Sequence, residues 1–180
     1  ISPAMFLGLP LRCHTLLTDV PLHDVWAIEL DGGPSGLTVG EAREVLLDGT
    51  SANPVVRGLF ALRWTLGRWF GWDDDRFQST EYASRLTDAD RVRSLVPPGT
   101  RDGAFRILYL FDTESLSEIR NATVHGFLSV ALVPRTDGYV LYLAIYVKPV
   151  SRLTPLYMAI IDPLRRLIVY PSLMRSARHR

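Results

Sequence analysis

From Ala122 to Leu132 the chain places an apolar side chain or glycine at every second position, and this alternation limits the fold more than any other feature of the sequence. Residues two apart on a strand share a face, whereas a helix would scatter them around its circumference. Ala122, Val124, Gly126, Leu128, Val130 and Leu132 therefore form one apolar side. The opposite side reads Asn121, Thr123, His125 and then Phe127. That second side either meets water or lines a cavity whose hydrogen-bonding groups await a ligand.

The neighbouring segments extend the same pattern. Ala104 to Thr113 alternates Phe105, Ile107, Tyr109 and Phe111 against Arg106, Leu108, Leu110 and Asp112, which predicts a strand with a tight connection near Glu114-Ser115. Leu116 to Val133 reads as one long strand region, bent or bulged at its middle. Asp137-Gly138 carries the signal of a hairpin, and Tyr139 to Val147 returns with both faces apolar or aromatic. A strand of that kind is central, or covered on both sides.

The first half is helix-rich. Asp24 to Leu30 predicts an initial strand, and the loop from Asp31 to Gly36 is followed by Thr38 and Glu41 at capping-box spacing. Asn53-Pro54 starts a second helix. Its apolar face, which includes Trp69 and Phe70, ends against Gly71. Pro97-Pro98-Gly99 marks a turn. Thr154-Pro155 opens a C-terminal helix, interrupted at Asp162-Pro163, where proline removes a backbone bond and kinks the helix. Neither half alone would cover its apolar surface, so residues 1–180 are expected as one α+β domain. Residues 1–20 are expected as an N-terminal extension, and residues 175–180 as a frayed basic tail.

Several classes of function lose support. A net charge of +1, with scattered arginines and Lys148 as the sole lysine, leaves no electrostatic footprint for nucleic acid. No apolar run is long enough for a membrane span. Cys13 has no partner for a disulfide, which points to a reducing, cytoplasmic setting and a plain structural thiol. Asp73-Asp74-Asp75 could attract a divalent cation, but three consecutive acids more often make a solvated loop, and no metal site is assigned. Ile1 is not an initiator, so the chain is read as trimmed or processed.

Five blocks carry a resemblance: DVWAIEL (24–30), LRWTLGRWFGWD (62–73), EIRNATVHGFL (118–128), YLAIYVKP (142–149) and LTPLYMAIIDPLRRLIVYPSLM (153–174). Together they resemble a bacterial family of uncharacterised proteins whose domain also occurs C-terminal to some short-chain dehydrogenase-like domains. The resemblance implies a START-like helix-grip fold, in which a curved antiparallel sheet wraps a long kinked C-terminal helix around an apolar cavity. It implies no activity. The chain has no dinucleotide fingerprint, and no cofactor is expected.

The expected function is the binding of a small apolar or amphipathic molecule. Trp64, Tyr142 and Tyr146 would be its anchors, while Asn121, Thr123 and His125 orient a polar end. Arg120, on one face with Glu118, could hold a carboxylate or phosphate. Each has a plainer reading: aromatic packing for Trp64 and the tyrosines, and local satisfaction or solvent for His125 and Arg120. Two alternatives stay open. One is a cyclase, isomerase or hydrolase with His125 as acid or base. The other is an interaction module or homodimer.

Overall fold

The computed structural model describes residues 2–31, 36–44, 81–103, 105–120 and 124–150. Helices α1 (Pro3–Leu7) and α2 (Arg12–Leu16) precede strand β1 (Leu22–Asp31), and residues 39–44 are helical. Helices α3 (Glu81–Ser84) and α4 (Asp88–Arg93) then lead into β2 (Thr100–Asp102), β3 (Phe105–Leu110), β4 (Glu114–Arg120), β5 (Val124–Arg135) and β6 (Gly138–Pro149). The six strands form one curved antiparallel sheet in the order β1-β6-β5-β4-β3-β2, so the fold is α+β.

β6 lies between β1 and β5, the interior position that its two apolar faces required. Thr136 and Asp137 alone link β5 to β6, and Gly138, at φ 146°, takes the backbone angle that a side chain would resist. The expected turn at Pro97-Pro98-Gly99 is present. Thr100 N–H donates to Pro97 O at 3.2 Å, and Gly99 has φ 89°. The expected capping box at Thr38 also forms. Its hydroxyl accepts from Glu41 N–H at 3.3 Å while the Glu41 carboxylate accepts from Thr38 N–H at 2.8 Å.

Three expectations need correction. The long strand region is two antiparallel strands, with Arg120 opposite His125. An extended ribbon of that length would leave both edges of its backbone in search of partners, and folding back lets β4 and β5 satisfy each other. Glu114 and Ser115 do not form the tight connection; they open β4, and the chain turns just before them. The register of β3 on β4 shifts between Ile107 and Tyr109, so an extra residue breaks the strict alternation and Leu108 and Tyr109 are both buried.

The two faces of the sheet differ. One is covered by the short helices: Phe6, Cys13, Leu16, Leu17, Val20, Tyr82 and Leu86 pack on Leu116, Phe127, Ala131, Tyr142, Ala144 and Tyr146. Residues 1–20, expected as an extension, thus supply five core side chains. The opposite face carries Ile28, Val130, Leu132, Leu141 and Leu143, against which Val39 and Ala42 pack. The expected helices at 53–70 and 153–174, their aromatic and proline features, and Asp73-Asp74-Asp75 lie outside the described residues.

Candidate functional site

His125 stands on the helix-covered face, 1 % exposed, and its Nε2 lies 2.9 Å from Glu118 Oε2. Residues 118 and 125 are diagonal neighbours across the β4–β5 ladder, close enough for long side chains to meet. A carboxylate can only accept, so Nε2 carries the donated proton; in the neutral ring Nδ1 then bears the lone pair. Tyr82 of α3 meets the imidazole edge-on at 5.3 Å, and Phe127 lies 4.5 Å from it. The pair answers the question left by the alternation. The imidazole on this part of the polar side is buried against a carboxylate of the next strand.

A second polar group sits under α2. Leu11, at the N-cap of α2, makes no side-chain cap bond, and Glu114 supplies one from β4. Its Oε2 accepts from Arg12 N–H and its Oε1 from Cys13 N–H, each at 2.9 Å, while the Tyr109 hydroxyl also donates to Oε1. This carboxylate satisfies two of the orphan donors at the start of the helix. Next to it, His14 Nε2 lies 3.1 Å from Phe6 O, which fixes the proton on Nε2 because a carbonyl only accepts. In the neutral ring Nδ1 is then the acceptor for the Tyr146 hydroxyl at 3.0 Å. Burial, with the charge of Glu114, pushes the Cys13 thiol up to about 12, far from the range of a reactive thiolate. Burial likewise raises Tyr109 and Tyr146. The Ser129 hydroxyl, 1 % exposed beside this group, has no hydrogen-bond partner among the described residues.

The rim of the same face carries charge. Asp19 bridges Arg85 Nη1 at 2.6 Å and Lys148 Nζ at 2.9 Å, and Lys148 also reaches the Tyr82 hydroxyl at 3.0 Å. The bond from Arg85 holds the Asp19 carboxyl well below its usual range, and the bonds to Tyr82 and Asp19 raise Lys148. These groups are largely exposed, so they steer Tyr82 into place more than they stabilise the fold.

The opposite face offers a different arrangement. Trp26, Leu128 and Ile145 are half-buried within its hydrocarbon, beside the buried Leu143 and Val130. At its β4 end the guanidinium of Arg43, a residue 8 % exposed, lies over two serines that are fully buried. Arg43 Nη1 donates to Ser115 Oγ and to Ser117 Oγ at 3.0 Å each, and Nη2 is bonded to Asp102 Oδ2. The side chain of Asp102 is 32 % exposed. This is a buried cation beside an apolar surface, with one partly solvated counter-charge.

Of the residues expected at the site, His125, Tyr142 and Tyr146 share the helix-covered face with Arg120. Tyr142 packs against Phe6 at 5.9 Å, and Arg120 is exposed at the end of β4. Trp64, Asn121 and Thr123 lie outside the described residues. Arg43, Ser115 and Ser117 were missed. Their signal was present: two serines flank Leu116 on the strand face opposite to it, an unusual choice where the neighbouring strands present hydrocarbon. Among the described residues no group of three or more His, Cys, Asp or Glu side chains is placed to hold a metal, and no helix is long and apolar enough to cross a membrane.

A family model described as protein of unknown function (DUF2867) matches residues 16–172. No curated protein and no solved structure matches the chain.

Proposed function

Because the chain belongs to the DUF2867 family, a family of unknown function, we propose its role from the side chains themselves: it binds a small apolar or amphipathic molecule. The observation that carries this is the contrast between the two faces of the sheet. One face is filled by aromatic and aliphatic side chains from the short helices. The other keeps Trp26, Leu128 and Ile145 half-buried in a hydrocarbon surface that ends at a buried arginine. An apolar bed with a few convergent polar groups is the usual composition of a small-molecule site. In this reading the fold is START-like.

Native mass spectrometry of freshly purified protein tests the proposal. A retained adduct is expected, and removing it by mild extraction should leave a chain that aliphatic alcohols stabilise against heat. At a hundredfold excess over Kd the gain is about 2.7 kcal/mol. Ile145→Glu should abolish both adduct and stabilisation. A bare mass together with a melting temperature unmoved by any chain length would overturn it, and a dimer mass would favour an interaction module instead.

A second reading draws on the Glu118–His125 pair. An imidazole held by a carboxylate on one nitrogen has, when neutral, a lone pair on the other, and so the form of a general base. It predicts that a converted, not merely retained, molecule is released by the wild type and only retained by His125→Gln.

A further inference from the structure

A guanidinium has five N–H donors. In Arg43 both Nη1 protons are taken, by Ser115 and Ser117, and one Nη2 proton by Asp102. No described residue accepts from Nε. Each serine accepts from Arg43 and still has its own O–H to donate, and no described residue takes either proton. Asp102 engages Arg43 through one oxygen only, from the short strand β2 at the sheet edge, where its side chain keeps contact with water. The Nε–Nη2 edge is the side on which a planar oxyanion forms two parallel bonds, and Asp102 is bonded to one of its two nitrogens.

We infer that Arg43, held in place by Ser115 and Ser117, forms the head-group site for an anionic amphiphile, with Asp102 as an internal counter-ion that the incoming anion displaces. The inference rests on the binding proposed above and adds the charge of the ligand and the end of the sheet at which it lies. A carboxylate or phosphate head would take the Nε–Nη2 edge in bidentate fashion, while the two serines, bonded to Nη1 on the opposite side, hold the guanidinium in place. Its hydrocarbon tail would then run along Leu128, Ile145 and Trp26. Asp102, released, needs no new partner because it already meets solvent. An uncharged head gains nothing at this site, since it cannot displace Asp102.

The test is calorimetric titration of the full chain, freed of adduct, with decanoate, decyl phosphate and decanol. Decanoate or decyl phosphate should bind at least about tenfold more tightly than decanol, the margin of a charge-assisted bond. Whichever anion is tighter identifies the source of the head group. Asp102→Asn removes the competitor, and the ratio of anion to alcohol affinity should rise a further fivefold or so. Ser115→Ala/Ser117→Ala should lower that ratio, and Arg43→Gln should bring it to about one. If Arg43→Gln does not fold, the aspartate and serine variants still decide. Decanol binding as tightly as both anions, in the wild type and in Asp102→Asn, overturns the inference and leaves the binding proposal standing. No binding by any of the three overturns both.

Discussion

Glu114→Gln isolates the contribution of a single buried carboxylate to the helix-covered face. In the wild type three donors converge on it: Arg12 N–H, Cys13 N–H and the Tyr109 hydroxyl. A glutamine of the same shape can keep its carbonyl oxygen towards Cys13 and Tyr109. Its amide then points donor to donor at Arg12 N–H, so one charge-assisted bond is lost outright, at about 1.5–3 kcal/mol. The two remaining bonds weaken because their acceptor is now neutral. Relief of carboxylate desolvation offsets part of this, and the helix-dipole contribution is small for a helix of one turn. The net loss should be about 2–3 kcal/mol. Urea unfolding followed by tryptophan fluorescence reads this as a fall in midpoint of about 1–1.5 M, taking a slope of roughly 2 kcal/mol/M. Tyr109→Phe removes only one of the three donors and should cost about 1 kcal/mol. If Glu114→Gln falls within about 0.5 kcal/mol of wild type, a spread typical of surface substitutions, or if Tyr109→Phe costs as much, Glu114 is not the cap of α2.

The Cys13 thiol gives a pH dependence of known sign. Burial raises it from 9.0 to about 12, so between those values only the unfolded chain loses the proton, and stability should fall by about 1.4 kcal/mol per pH unit. Below pH 9 both states hold the proton and Cys13 contributes no slope; denaturation of Cys13→Ala across the alkaline range should show a flatter decline. At the Glu118–His125 pair, His125→Leu strands a buried carboxylate and should cost about 3–5 kcal/mol, whereas Glu118→Leu/His125→Leu should cost less than the single change. A double variant less stable than His125→Leu would mean the pair itself stabilises the face. Thr87 caps α4 in a reciprocal box with Asp90, and Thr87→Ala should lower stability by about 1 kcal/mol, read from thermal unfolding.

The elements most legible in the sequence are those whose information is local. The Thr38–Glu41 cap, the Pro98-Gly99 turn and the Asp137-Gly138 hairpin each need only a few consecutive residues of the right chemistry, and each is where it was expected. The interior position of β6 was equally plain, because a strand with two apolar faces has nowhere else to go. The β4–β5 boundary was hidden by the alternation itself. The alternation resumes at Ala122 after only two adjoining polar residues, Arg120 and Asn121, and a period of two does not report direction. The β3 bulge was hidden for a related reason: with hydrocarbon at both Leu108 and Tyr109, an extra residue leaves no polar side chain on the wrong face to betray it.

The site was harder to read because its members belong to separate segments. His125 drew attention as the one histidine of the long strand region, yet its character is set by Glu118, which reaches it only once the strands pair. Arg43 stands 72 and 74 residues from the two serines it bonds, and nothing at position 43 distinguishes it from the other arginines of the chain. What could have been noticed is the converse pattern. Serine at two alternate positions of a buried strand calls for partners to both hydroxyls, and a guanidinium can bond to both from a single nitrogen while keeping an edge free. Polar residues on a face that packing would fill with hydrocarbon therefore mark the place where a distant charge arrives. The same reasoning that led to His125 on one face leads to Arg43 on the other.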